Sequence, residues 1–202
     1  MDIVALGGSR VHVMPVVRGL VSESERVRSA FSDVRPEAAA LSIGREEMEG
    51  LKVHSGENVP PDNLEEEVYV RGLSRFGEVR KPPPCFVAAL AEASRLAIPV
   101  HPLDMDDEQY SSTYVASVST VDILLSNARQ GKLRRWESGA ETAADFVRGW
   151  DAVVNASAGY RKLVDEREGF LARRIRQLAP RYGVLLALVD VERANGVLRH
   201  LV

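Results

Sequence analysis

The chain has 202 residues, which suits one domain or one domain with a sizeable insertion. With 45% hydrophobic and 27% charged residues it can build a core without metal or disulfide help, and its net charge of -3 argues against a generally nucleic-acid-binding surface. Cys85 is the only cysteine, so no intrachain disulfide can form, and a reducing compartment is compatible. No apolar run nears the roughly 20 residues of a membrane helix, and no basic-then-apolar leader pattern opens the chain, so the expectation is a soluble cytoplasmic protein.

Residues 2–6 read as a buried strand, and Val11 to Val17 as its extension or a second short strand. Between them Gly7-Gly8-Ser9 is a tight turn whose backbone N–H groups could hold an anion, although it lacks G-x-G-x-x-G and does not run into a helix. Ser22 and Glu25 have capping-box spacing, and Val27, Ala30, Phe31 and Val34 follow at helical intervals until Pro36. Ala38 to Ile43 is the next strand and Arg45 to Lys52 a short helix. Residues 55–63, with two prolines, two asparagines and a glycine, form a loop. Leu64 to Phe76 is a helix with an acidic start, which suits the helix dipole. Lys81-Pro82-Pro83-Pro84 is a stiff connection into an alanine-rich helix, Cys85 to Leu96. Ile98 to Leu103 is a third strand.

From Asp104 to Tyr160 the pattern is helical, broken near Gly131 and Ser138-Gly139. Val115, Val118, Val121, Leu124 and Leu125 mark one apolar stripe there, and Phe146, Trp150, Val153 and Val154 another. Asp165 to Ala179 is a helix ended by Pro180; Gly183 to Val189, the most apolar run, is a central strand; and Val191 to Leu201 is a terminal helix. This order predicts a single α/β domain over residues 1–202: a predominantly parallel sheet flanked by helices, with a helical insertion at about 105–165.

Several segments resemble, in order, those of the TraB/PrgY/GumN family, to which the Tiki proteins belong. Ser9-Arg10-Val11-His12-Val13-Met14-Pro15 looks like the family's G-S-I-H-V-L-P opening. Arg35-Pro36-Glu37-Ala38 resembles its R-P-D-x-V-A-V-E-L segment. The run Ala88 to Asp104 resembles A-x-x-E-A-x-x-L-G-A-x-V-x-L-x-D-R, and Glu166 to Ile175 resembles the E-R-N/D-x-x-M-A-x-x-L helix. Leu186 to Leu198 matches the place of the final V-V-G-A-G-H-x-x-G-I. Members of that family have been proposed to be metal-dependent proteases using two G-x-x-H motifs and a glutamate, and others are linked to inhibition of peptide pheromones. In this chain Ser9 replaces the first motif's glycine, Ser42 replaces the strand glutamate, Met105 replaces the arginine, and the final G-A-G-H falls on Asp190-Val191-Glu192-Arg193. A hard divalent metal needs several converging ligands, so these losses imply that the family's site is dismantled.

The resulting expectation is a non-catalytic binding or regulatory module holding a peptide or small ligand in a cleft at the strand ends. In that reading Gly8, Ser9, Ser42, His101, Arg167 and Arg193 bind ligand. The alternative is a rebuilt hydrolase acting on peptides. It would have His12, Asp104, Glu166 and Glu192 as catalytic groups and His12, His101 and Asp104 as ligands to Mn, Co or Zn, whose bound water would attack. A third is self-association through the Val115, Val118, Val121, Leu125 stripe. Each residue also has a plain reading: His12 as a half-buried strand histidine, Asp104 as a helix cap, Glu166 and Arg167 as an exposed helix start. Ser42 matches no nucleophile motif, and Cys85 has no histidine partner in sequence and is expected to be packing.

Overall fold

The computed structural model describes residues 1–54 and 57–202; the predicted loop is described from Glu57, and Ser55 and Gly56 lie outside the described residues. In chain order the strands are β1 (Asp2–Leu6), β2 (Ser9–Val16), β3 (Ala38–Leu41), β4 (Val100–Pro102) and β5 (Val184–Asp190). The helices are α1 (Glu23–Val34), α2 (Arg45–Lys52), α3 (Leu64–Leu73), α4 (Pro84–Leu96), α5 (Asp107–Ser117), α6 (Thr120–Leu133), α7 (Ala143–Val154), α8 (Ala158–Leu178) and α9 (Val191–Leu201). The sheet has the order β1-β2-β5-β3-β4. β2, β5, β3 and β4 are mutually parallel, while β1 pairs antiparallel with β2 at the edge. The protein is therefore α/β, with a mostly parallel sheet between helical layers, as the alternation of apolar runs and amphipathic segments predicts.

The apolar run at 184–190 takes the central place because it can be buried on both faces. Leu186 and Leu188 face a core shared with α1, α2 and α4 (Val27, Phe31, Met48, Phe86), and Leu185, Ala187 and Val189 face one shared with α8 and α9 (Leu171, Ile175, Ala194, Val197). β3 is Ala38-Ala39-Ala40-Leu41, fully buried, and its small side chains let both layers approach closely. Helices α1, α2 and α4 pack on one face, whereas α8 and α9 pack on the other. Strand β5 is thus followed by a helix on the face opposite to those following its neighbours, which marks a topological switch point at the carboxyl ends of β2, β5 and β3.

Three local expectations are corrected. Residues 2–6 are an exposed edge strand, with Ile3 62% exposed, not a buried one. Gly7 and Gly8 both take positive φ (57° and 86°), the two-residue turn that matches the twist of a hairpin, so the second strand folds back on the first. The Ser22–Glu25 capping box does not form: Ser22 makes no side-chain cap, and buried Glu23 instead accepts the Val17 N–H at 3.3 Å. The insertion comprises α5, α6, α7 and the start of α8, which begins at Ala158 rather than Asp165. In it Val118 is buried, but Val115, Val121, Leu124 and Leu125 are exposed. Trp136 and Trp150 meet at a tilt, ring centres 5.3 Å apart, and anchor packing beside Val68 and Leu133. No helix among the described residues is long and apolar enough to cross a membrane.

Candidate functional site

The carboxyl ends of the parallel strands present Arg18 just beyond β2, Ser42 just beyond β3, Asp104 just beyond β4, and Asp190 and Glu192 at the junction of β5 and α9. Strands of this kind stop their apolar pattern at the rim, so the first polar residues after each run are brought together. Arg18 is the hub. Its Nε donates to Asp190 Oδ1 at 3.2 Å and its Nη2 to Asp190 Oδ2 at 2.8 Å, while Nη1 donates to Glu47 Oε1 at 2.9 Å. Nη2 also donates to the Ser42 carbonyl at 3.2 Å, and the guanidinium lies 5.1 Å from the centre of the Phe86 ring. The Tyr69 hydroxyl donates to the Arg18 carbonyl at 2.8 Å. The neighbouring carboxylates hold the Arg18 guanidinium firmly charged, and burial raises the Tyr69 phenol well above its ordinary value. Ser42 Oγ accepts the Asp190 N–H at 3.0 Å, tying β3 to β5 at their ends.

On the α8 side, Arg167 pairs with Asp104 and lies 5.6 Å from the Tyr110 ring centre. Asp104 also accepts the Met105 N–H at 2.8 Å; the cap of α5 is Asp106, which forms a full capping box with Gln109. Glu192 lies in the first turn of α9 between these arginines. Its Oε2 is sealed from solvent with no hydrogen-bond partner. Burial, with Asp190 adding to it, pushes the Glu192 carboxyl up to about 7.

These groups floor a cleft of about 460 Å³. Its opposite wall is built from residues 58–61 and 79–83, which are laced together: Val59 N–H donates to the Lys81 carbonyl at 2.8 Å and Lys81 N–H to Asn58 Oδ1 at 2.9 Å. That wall hangs on Gly19, whose φ of 104° turns the chain and whose carbonyl accepts the Arg80 N–H at 2.9 Å. Val59, Pro60, Pro61, Val70, Val79 and Pro83 make the lining partly apolar. Every lining cation has a carboxylate partner: Arg18 has Asp190 and Glu47, Arg80 has Glu78, Lys81 has Asp62 and Glu66, and Arg167 has Asp104. With Glu192, four cations stand among seven carboxylates.

The predicted residues divide. Arg167, Glu192 and, through Arg167, Asp104 belong to this site. Ser42 is at the rim but buried, and acts as a strut. His12 is not at a strand end: it pairs with Leu186 and Ile3, four residues before Val16, or about 13 Å along the strand. Its pKa is lowered by burial and by Arg10. His101 Nε2 is 2.7 Å from the Tyr182 hydroxyl, a residue preceding β5, so it bonds along the sheet face rather than into the cleft. Gly8 and Ser9 form the hairpin at the amino end of β2, the end of the sheet opposite to the cleft. Glu166 is exposed on α8. Arg193 turns the other way from the cleft, into a buried network with Asp151 of α7 and Glu168 of α8, whose carboxylate also takes Arg199 at 3.3 Å. The proposed constellation of His12, His101, Asp104 and Glu192 therefore does not converge. Asp165, Glu168 and His200 do approach one another within 4.8 Å on α8 and α9, but Glu168 is committed to the two arginines. Cys85 is buried beneath the rim, and burial pushes its thiol far up.

Arg18, Glu47, Tyr69 and Lys81 are not among the predicted residues. Arg18 carries a signal that the sequence does offer, a charge placed directly after an apolar strand. No protein-family model matches the chain, and neither does any curated protein.

Proposed function

We propose that this chain is a divergent TraB-like domain working as a non-catalytic binding module, whose strand-end cleft takes a peptide segment or a small ligand with an apolar body. The observation that carries the reading is the state of the charges at the switch point. Arg18, Asp190, Glu47, Arg167 and Asp104 are spent on one another, so they build a fixed polar floor rather than an open array of metal ligands. Opposite that floor stands a proline- and valine-lined wall, the mixture of apolar surface and few fixed polar groups that small-ligand sites use.

The test is an NMR fragment screen on the ¹⁵N-labelled chain with five-carbon amines, alcohols and acids and with N-acetylated dipeptide amides. Binding that shifts the amides of Gly19, Val59 and Val79 together is the expected result. A screen in which no member moves those amides would remove the reading.

A further inference from the structure

We infer that the cleft selects a cationic ligand, one presenting an ammonium or guanidinium to Glu192 while its apolar body lies on the proline wall; the inference rests on the binding reading above. Two observations carry it. Glu192 is the one carboxylate lining the cleft without a cationic partner among the described residues, whereas each lining cation already has a partner. A ligand anion would have to displace one of those pairs; a ligand cation displaces nothing. The second observation is the buried Glu192 Oε2, which lacks any donor. A buried acceptor left unmade costs free energy that a donor brought by a ligand recovers once the carboxyl turns toward it.

Arg18 from the β2–α1 loop, Tyr69 from α3, Arg167 from α8 and Asp190 from β5 face Glu192, and the charge of each arginine is already met by its own carboxylates, Asp190 and Glu47 for Arg18 and Asp104 for Arg167. Arg193 on the far side of α9 is occupied by Asp151 of α7 and Glu168 of α8. With its carboxyl raised to about 7, Glu192 is the group whose charge turns on near neutral pH, and cation binding should follow it. His12 and His101 titrate outside the cleft.

The experiment compares n-pentylamine, 1-pentanol and pentanoate by amide shifts of Gly19, Val59 and Val79 at pH 8 and pH 6. The amine keeps its charge at both, as a lysine side chain does. Expected are selective binding of pentylamine at pH 8, an affinity about tenfold weaker at pH 6 as Glu192 takes up its proton, and loss of both selectivity and pH dependence in Glu192→Gln. The wild-type pH comparison needs no variant to fold. Equal binding of pentanol or pentanoate, or undiminished amine binding by Glu192→Gln, overturns the inference while leaving a ligand cleft. Binding by none of the three overturns the inference, and N-acetylated peptide amides then decide whether the cleft reading falls with it.

Discussion

Replacing Arg18 by methionine keeps the aliphatic stem but removes the guanidinium, which is the only cation bonded to Asp190 among the described residues and lies over the Phe86 ring. The Asp190 side chain is 6% exposed and that of Arg18 32%, so the pair is buried on one side and only partly so on the other. Breaking a buried pair by removing one partner costs about 3–5 kcal/mol, and the one-third exposure of Arg18 scales that down. The bond to Glu47, which is itself 40% exposed, adds no more than about 1 kcal/mol. The expected loss for Arg18→Met is therefore about 2–4 kcal/mol. Asp190→Asn placed in the Arg18→Met background should recover part of it, because an amide stranded at the rim costs less than a carboxylate. Urea denaturation at pH 7, followed by circular dichroism with m-values checked for constancy, measures all four members of the cycle. Arg18→Met within about 0.5 kcal/mol of wild type, a surface-like value, would refute the argument that this pair holds the floor of the cleft. So would strict additivity of the two changes.

The remaining predictions probe other parts of the same frame. Gly196→Ala should destabilise although alanine is the better helix former by about 1 kcal/mol, because a Cβ there would run into the Glu168 carboxylate and drive it from Arg193; Gly50→Ala, with open space around it, should stabilise, and equal signs for the two would refute this. Glu192 is protonated in the fold below about 7 but ionised in the unfolded chain above its ordinary 4.5, so its contribution falls by about 1.4 kcal/mol per pH unit across that window. The lowered His12 and His101 act in the opposite sense near pH 6.5, so the check is the difference between wild type and Glu192→Gln, which should lack the falling limb. Cys85 should resist a thiol reagent in the native state and react at once in denaturant; fast native labelling would contradict its burial. Dialysis against a chelator should leave the melting temperature unchanged, since the arginines already neutralise Asp190 and Asp104 at the rim; a fall of several degrees would point to a resident metal.

Periodicity exposed most of the elements because it is a local property: the buried run at 184–190 and the amphipathic helices around it are written in consecutive residues. Pairing partners are not. Arg18 and Asp190 lie 172 positions apart, and nothing near either residue names the other. The misplacement of His12 has a different cause. Val11 and Val13 point into the α8–α9 core and Arg10 and His12 to the other face, a clean alternation of period two. Beyond Val13 that alternation breaks, with Met14 and Val16 buried on the face His12 shares, so the pattern of the sequence does not show that the strand runs on past His12; its pairing with β5 does. The hairpin was hidden for a third reason. Asp2 to Leu6 is as apolar as a buried strand, and only the positive φ values at Gly7 and Gly8 turn it into an edge.

The placement of the cleft follows from chain routing rather than from any single motif. After β2 the chain leaves for the α1 layer, and after β5, the adjacent strand, it leaves for the opposite layer through α9. Two neighbouring strands whose continuations diverge leave a gap above their ends that backbone cannot fill. Arg18 and Asp190, one from each strand end, bridge that gap, and Ser42 from β3 locks the bridge from below. Glu192 stands where α9 departs, so it overlooks the gap without being part of the bridge. A carboxylate held in that position with an unmet oxygen is a cost to the fold that packing alone does not explain, since an apolar residue would seal the helix start at no such penalty. Its presence in the lining of the cleft is the physical reason to look for a ligand that meets it.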